Sequence, residues 1–404
     1  MRRGILSAGV LLLAACGSSS TPPNPESSSS AVAFSGPDVV IGVVANLTGP
    51  GAQNSIPANA AMQVAVDQIN AAGGIMHHRV RLAVEDDQQQ PSLTGSVVRK
   101  LVNDNNVATI VFNTGSADVI QVKPLLITDK VVGISPLSLD QRQASPPDNA
   151  YSFMMASPIS DVGKVYASGF AAAGVHKVAL FGDDAPSIAG LMKSMTTVLQ
   201  AAGITVAAQE TAASNAPDVT AQASRIKAAN PDAALVVSFG GQLEVNFYNA
   251  LQTVAPTLPK YTLLSIGNQP DAWSLAHPNA LDGLVYVGQF TDRNPMTGEL
   301  TTILKKGMGS KFTALTAFEA EAYDAVYVLK AAMDKAATVT DGAAIKSAME
   351  QINGFKVHFG QPGYALSYSA GNHFGVTSLC ALVLGTFKGN TPGPAWSTYQ
   401  PPCS

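Results

Sequence analysis

Val39-Val40-Ile41-Gly42-Val43-Val44-Ala45 is the stretch on which the fold turns. A continuous β-branched run of this length suits a parallel strand buried on both faces, where alternation with polar residues is lost. Thr48-Gly49-Pro50-Gly51 breaks the run, and Ala61, Val64, Ala65 and Ile69 then recur at helical spacing over 58–72 until Gly73-Gly74 stops them. Strand, turn and helix repeat outward from there. Val80 to Val84 predicts a strand, Asp86-Asp87-Gln88 leads into a helix near 92–105, and Ala108 to Phe112 predicts a third strand ending in Asn113-Thr114-Gly115-Ser116. A helix near 117–128 and a strand at Val131 to Ser135, closed by Pro136, complete the first series.

The rhythm restarts after Tyr151-Ser152-Phe153. Lys177 to Phe181, Ile204 to Gln209, Ala233 to Phe239 and Tyr261 to Ile266 read as strands, with helices over 187–202 and from Asp218 to Asn230, before Pro231. Each series therefore predicts an α/β unit with a parallel sheet covered on both faces. The last third departs from alternation: a strand at Leu284 to Phe290, helices over 316–337 and 341–352, then strand-like pieces at Gly363 to Tyr368 and Val376 to Phe387. Late helices followed by strands suggest repeated crossings between two lobes.

The amino-terminal end speaks to location. Arg2 and Arg3 precede an apolar stretch, Ile5 to Ala15, too short to span a bilayer, so it reads as a signal peptide. Leu13-Ala14-Ala15-Cys16-Gly17 resembles the lipobox of bacterial lipoproteins, which implies acylation of Cys16 and a membrane-lipid partner. Residues 16–37 are Ser- and Pro-rich and are expected to be a disordered tether reaching roughly 25 Å as a coil. Beyond residue 37 the 404-residue chain is longer than one core usually serves, so two lobes are expected. Charged residues make up only 13% of the chain and the net charge is −4, which argues against a nucleic-acid partner. With Cys16 lipidated, Cys380 and Cys403 either pair or remain as two buried thiols.

Several runs resemble the leucine/isoleucine/valine-type periplasmic binding proteins. These are Val40-Ile41-Gly42-Val43-Val44 with Leu47-Thr48-Gly49-Pro50, Ala65-Val66-Asp67-Gln68-Ile69-Asn70-Ala71-Ala72-Gly73-Gly74-Ile75, Glu85-Asp86-Asp87-Gln88, Ile134-Ser135-Pro136, Ala228 to Ala233, and Ala322-Tyr323-Asp324-Ala325-Val326. The resemblance implies a type I periplasmic binding protein fold, two Rossmann-like lobes with three interlobe crossovers. These are expected near Met154-Ala156, Val285-Gln289 and Phe355-Phe359. It divides the chain into a signal peptide (1–15), the tether (16–37), an N-terminal lobe (38–155 plus 288–356) and a C-terminal lobe (156–287 plus 357–404). The implied function is capture of a small solute, an amino acid or a related amide or carboxylate, in the cleft, and delivery to the permease subunits of an ABC-type importer. A ligand sensor presenting its bound state to a membrane receptor is the second reading.

In amino-acid-binding members, turns after the third and fourth strands hold the substrate carboxylate. By position these are Asn113, Thr114, Gly115 and Ser116, then Leu137, Ser138 and Leu139. Leu139 stands where those members tend to carry threonine. In the other lobe, the tyrosine positions fall on Ser187 and Gly241, and the acidic partner of the substrate ammonium falls near Gly267-Asn268. Asp183 or Asp184 would have to supply that charge, because a buried ammonium without a carboxylate is costly. Asn54, Asn268, Gln269 and Gln289 are polar candidates for an amide ligand, and Phe239 and Phe290 for stacking. No Gly-x-Ser-x-Gly elbow, His-Glu-x-x-His pair or Walker loop occurs, so neither an enzyme, a metal nor a cofactor is expected. His77-His78 are adjacent and read as an exposed turn.

Overall fold

The structure, a computed structural model, describes residues 33–290 and 293–403. The chain runs β1 (Val39–Ala45), α1 (Ala52–Ala71), β2 (Val80–Asp86), α2 (Pro91–Asn105), β3 (Thr109–Asn113), α3 (Ser116–Asp129), β4 (Val132–Ser135) and β5 (Ser152–Met154). These five strands form one wholly parallel sheet in the order β2-β1-β3-β4-β5, so the winding reverses between β1 and β3. Ile41, Val43, Val44 and Ala45 of β1 are all buried because helices cover both faces.

The second series is α4 (Ile159–Ala173), β6 (Lys177–Asp183), α5 (Pro186–Ala201), β7 (Thr205–Ala212), α6 (Thr220–Ala228), β8 (Ala233–Val237), α7 (Gly241–Val254), β9 (Lys260–Thr262), α8 (Pro270–Trp273) and β10 (Val285–Gly288). After it come α9 (Pro295–Met308), α10 (Ala317–Ala336), α11 (Gly342–Met349), a short hairpin of β11 (Phe355–Lys356) and β12 (Ala365–Leu366), then β13 (Val383–Lys388) and β14 (Thr391–Ala395). The second sheet has the order β14-β13-β10-β9-β8-β6-β7, parallel from β10 to β7 with β13 and β14 added antiparallel. Its winding reverses between β6 and β8.

Hydrophobic cores mark where the chain changes lobe. Met155 is buried in the first core and Ala156 in the second. Val287 belongs to the second core, whereas Phe290 packs on the first. The third crossing corrects the expectation at Phe355–Phe359. Val357, Phe359, Tyr364, Leu366, Tyr368, Cys380 and Ala381 remain in the first core, and the chain leaves it at Leu382, which is buried in the second. Residues 357–381 therefore belong with the N-terminal lobe. The β11–β12 hairpin is held there by polar ties as well, since the His358 backbone N–H donates to Asp324 Oδ2 at 2.8 Å and Tyr368 Oη donates to the Met154 carbonyl at 2.9 Å.

Other boundaries also move. The strand expected at Tyr261 to Ile266 ends at Thr262, and the one expected at Val376 to Phe387 begins only at Val383, after a 3-10 turn at Leu379–Ala381. Cys380 and Cys403 are joined in a disulfide. The signal peptide, Cys16 and most of the tether lie outside the described residues. Residues 33–37 are docked rather than free: the Ser35 N–H donates to the His77 carbonyl at 2.8 Å, and the Pro37 carbonyl lies 2.9 Å from His78 Nδ1.

Candidate functional site

The carboxyl ends of the two parallel sheets face one another, and the helices that follow those strands begin there. Open α/β sheets bind ligands at such edges because strand ends leave a crevice and helix N-termini supply N–H donors. Between the lobes lies a cavity of about 60 Å³. By the space one water needs, it has room for roughly four to six water-sized bodies. Its N-terminal-lobe wall comes from the first turn of α1 (Asn54, Ser55), the start of α3 (Gly115, Ser116), the loop Leu137–Leu139 and Phe318 of α10. Its C-terminal-lobe wall comes from Ser187, Ile188 and Leu191 of α5, and from Ser238, Phe239, Leu263, Leu264 and Ser265 beyond β8 and β9.

Hydrogen bonds span the two walls. The Ala117 N–H, in the first turn of α3, donates to Ser187 Oγ at 3.0 Å. Asn54 Nδ2 and Gln53 Nε2 both donate to the Phe239 carbonyl at 3.3 Å, and Gln269 Nε2 donates to Asn54 Oδ1. The Ala317 N–H at the start of α10 donates to Asn268 Oδ1 at 3.0 Å. The approach at Gly115 is close enough that a Cβ there would stand 2.5 Å from Ser187 Oγ, 2.6 Å from Asp118 Oδ2 and 2.8 Å from Gln89 Nε2. The lobes are shut upon the cavity.

Two parallel-sheet lobes joined by three crossings and closed over a strand-end cavity describe a clamp. The sequence matches the family described as "Periplasmic binding protein" over residues 38–379. The chain belongs to the periplasmic binding protein family. It is similar to the Leu/Ile/Val-binding protein BraC3 of Rhizobium johnstonii, 26% identical over 345 residues that cover 82% of this chain and 90% of that one. It is also similar to Leu/Ile/Val-binding protein homolog 3 of Brucella melitensis, 26% identical over 77% of this chain and 83% of that protein. Among solved structures, the substrate-binding protein LivJ of Streptococcus pneumoniae in complex with isoleucine superposes with a TM-score of 0.75. The two are 20% identical, and the match covers 89% of this chain and 98% of that one. The fold is that of the type I periplasmic binding proteins.

In this periplasmic binding protein, ten of the residues singled out from sequence line the cavity together: Asn54, Asn113, Thr114, Gly115, Ser116, Leu137, Ser138, Leu139, Ser187 and Phe239. Most of their polar atoms are already engaged. Asn113 Nδ2 donates to the Ser55 carbonyl and to Asn59 Oδ1, tying β3 to α1. Thr114 Oγ1 donates to Asp87 Oδ1 at 2.8 Å, Ser138 Oγ donates to the Thr114 carbonyl at 3.1 Å, and Ser116 Oγ accepts the Asp140 N–H at 3.3 Å.

The other candidates fall elsewhere, Phe290 packing on the first core. Gly241 and Asn268 line a second, neighbouring interlobe chamber of about 280 Å³, with Gln269, Pro57 and Glu319. Asp183 is buried behind the wall, accepting the Ala185 N–H on Oδ1 at 3.1 Å and the Phe239 N–H on Oδ2 at 3.2 Å. Burial pushes its carboxyl up to about 6 against those two donors. Asp184 is exposed outside the cavity. Gln289 is sealed in the second crossing, where its Nε2 donates to Glu321 Oε1 at 2.7 Å. The misplacement has a physical source: a strand end locates a residue along the chain but not on one face of it.

The sequence reading missed much of the far wall. Ser238 and Ser265 sit just past strands, where the same strand-end rule applies to them as to Ser138. Phe318 arrives from α10, a helix distant in sequence, and carries no local signal. Gln89 was also missed. Its Oε1 accepts from Asn46 Nδ2 at 2.6 Å and from the Gly51 N–H at 2.9 Å, which fixes the entry to α1.

Beneath α3 lies a pair of buried carboxyl groups. Thr94 Oγ1 stands between them, 3.1 Å from Asp87 Oδ2 and 3.3 Å from Asp118 Oδ1. Burial, and then the neighbouring charge of Asp87, push Asp118 up to about 7. Burial raises Asp87 as well, against hydrogen bonds from Gln89, Thr114 and Thr94.

Proposed function

We propose that this chain is an extracytoplasmic solute-binding lipoprotein of an ABC-type importer, holding a small solute in the interlobe cavity. The observation that carries the reading is the cavity itself, enclosed by strand ends and helix starts of both lobes and bridged by hydrogen bonds between them. A solute there adds contacts that exist only when the lobes are shut, so binding favours the closed form and closure becomes the signal a permease can read. The names of the similar Leu/Ile/Val-binding proteins support an organic solute of amino-acid size. A carboxylate or amide oxygen fits best against residues 114–116, where the start of α3 offers backbone N–H groups and a positive dipole end. Anchoring rests on Cys16 and its lipobox-like surroundings.

A thermal-shift screen of amino acids, amides, ureas and small aromatic acids tests capture, because binding raises the melting midpoint by mass action. A hit should also be saturable in calorimetry. A library in which no solute moves the midpoint would sink the proposal. For the anchor, Cys16→Ser should release the chain from membranes into the soluble fraction; unchanged membrane retention would refute lipidation.

A further inference from the structure

Every described side chain that lines the interlobe cavity is neutral. The surrounding acids are buried behind this lining: Asp118 has one unpartnered oxygen, Glu319 caps the start of α10 by accepting the Thr316 N–H, and the others are engaged on both oxygens. Asp183 accepts backbone N–H groups from Ala185 and Phe239, and Phe239 forms the wall in front of it. Glu244 is fully buried below Ser238, accepting from Ser238 Oγ at 2.6 Å and Tyr248 Oη at 2.9 Å, and from Thr262. Asp87 holds Thr114, Thr94 and the Gln89 N–H, and Asp118 is buried behind Gly115 with Asp87 as its neighbour. What does face the cavity from the polar side is a set of helix starts. Asn54 lies in the first turn of α1, Ser116 begins α3, Ser187 is in the first turn of α5, and Phe318 is in that of α10. Four positive dipole ends surround one small space, and burial holds the acids in the first turns of α3 and α10, Asp118 and Glu319, toward their neutral forms, so these ends favour an anion or carbonyl oxygen and disfavour a cation. The remaining surface is branched and aromatic, with Leu137, Leu139, Ile188, Leu191, Leu264 and Phe239.

We propose that the solute is a small acid with an apolar body and no ammonium group, and that this neutral wall rejects the matching α-amino acids. The inference rests on the solute-binding reading above and narrows its ligand. A buried ammonium keeps its charge only with a carboxylate partner, so an amino acid entering this cavity loses its hydration without replacement. An amine-free acid leaves no such group stranded, and its carboxylate meets the helix starts.

Isothermal titration of the full-length chain in detergent, with ligands on shared skeletons, tests this. The probes are leucine, 4-methylpentanoate, 4-methyl-2-oxopentanoate and 3-methylbutylamine, then phenylalanine against 3-phenylpropanoate, with 4-methylpentanamide as the uncharged control. The expected result is that at least one amine-free acid binds a hundredfold or more tighter than its amino acid, about 2.8 kcal/mol at about 1.4 per decade, and that the amine gives no heat. Leucine or phenylalanine binding as tightly as its amine-free counterpart overturns the inference while leaving solute capture intact. Binding of the amide alone does the same. Silence of this panel overturns the inference too, and only silence of the wider screen removes the solute-binding reading with it.

Discussion

Asp118 is a carboxyl group placed where its charge is unfavourable. It is fully buried, Asp87 lies close by across Thr94, and Oδ2 has no hydrogen-bond partner. Its folded value near 7 lies above the free value of 3.8, so the folded state holds this proton more tightly than the unfolded state does. Stability is then greatest below the free value and falls as pH rises between about 4 and 7, by up to ~4 kcal/mol for this one group. Asp183, raised to about 6, adds a loss of the same sign over a narrower range. Asp118→Asn keeps an acceptor for Thr94 and removes the charge. Urea unfolding from pH 4 to 8 should show a flatter profile for the variant and a gain of a few kcal/mol at pH 8. A variant with the wild-type slope would show that Asp118 ionises without penalty.

Gly115 is chosen for space and not for conformation. Its φ of −74° suits any residue, but a methyl group there meets Ser187 Oγ, Asp118 Oδ2 and Gln89 Nε2. Ser187 lies on the other lobe, so Gly115→Ala should wedge the lobes apart. We expect affinity for the bound solute to fall at least tenfold in calorimetry, alongside a fall in the melting midpoint of the free protein from the contacts with Asp118 and Gln89 inside the same lobe. An unaltered affinity would mean that the closed form does not bring these residues together.

At the level of elements, the Cys380–Cys403 disulfide closes a loop of 23 residues that begins beside the third crossing and ends at the tail after β14. Loop-closure entropy gives such a bridge about 3 kcal/mol. Cys403→Ser should lower the unfolding free energy by about that amount, and a reducing agent should do the same to the wild type and nothing further to the variant. The strands around this bridge also show what local pattern conveys. Periodicity located β1, α1, β3 and β8 because their apolar runs are buried on both faces. It traced α1 only from Ala58, where the helical spacing of apolar residues becomes regular, whereas the helix begins at Ala52 and carries Asn54 and Ser55 into the cavity. It set no bounds for α9, whose start is marked by the Asn294 cap and Pro295. The third crossing was misplaced because Val357 and Leu382 are equally apolar, and nothing local says which core each enters. Much of the N-terminal-lobe lining of the cavity was legible because its turns follow strands directly, whereas Phe318 of α10 on the same side and the α5 residues opposite are brought in by helices and carry no such local signal.

For the whole molecule, affinity depends on how easily the two lobes shut, because the apparent dissociation constant rises as the closed fraction falls. Asn54 and Ser187 bridge the lobes at separate points, one to Phe239 and Gln269, the other to Ala117. Neither bond stabilises a single lobe, so losing both should leave each lobe's core intact while tilting the equilibrium toward the open form. A typical hydrogen bond contributes about 1 kcal/mol net, which makes the pair worth roughly tenfold to thirtyfold in closure. Asn54→Ala with Ser187→Ala should therefore show a larger radius of gyration in X-ray scattering without ligand, and a similarly weakened affinity. Saturating solute should bring the radius back to the wild-type closed value, since differential binding restores what the hydrogen bonds supplied. If the double variant scatters as the wild type does and binds equally well, closure is governed by the crossings and not by the contacts across the cavity.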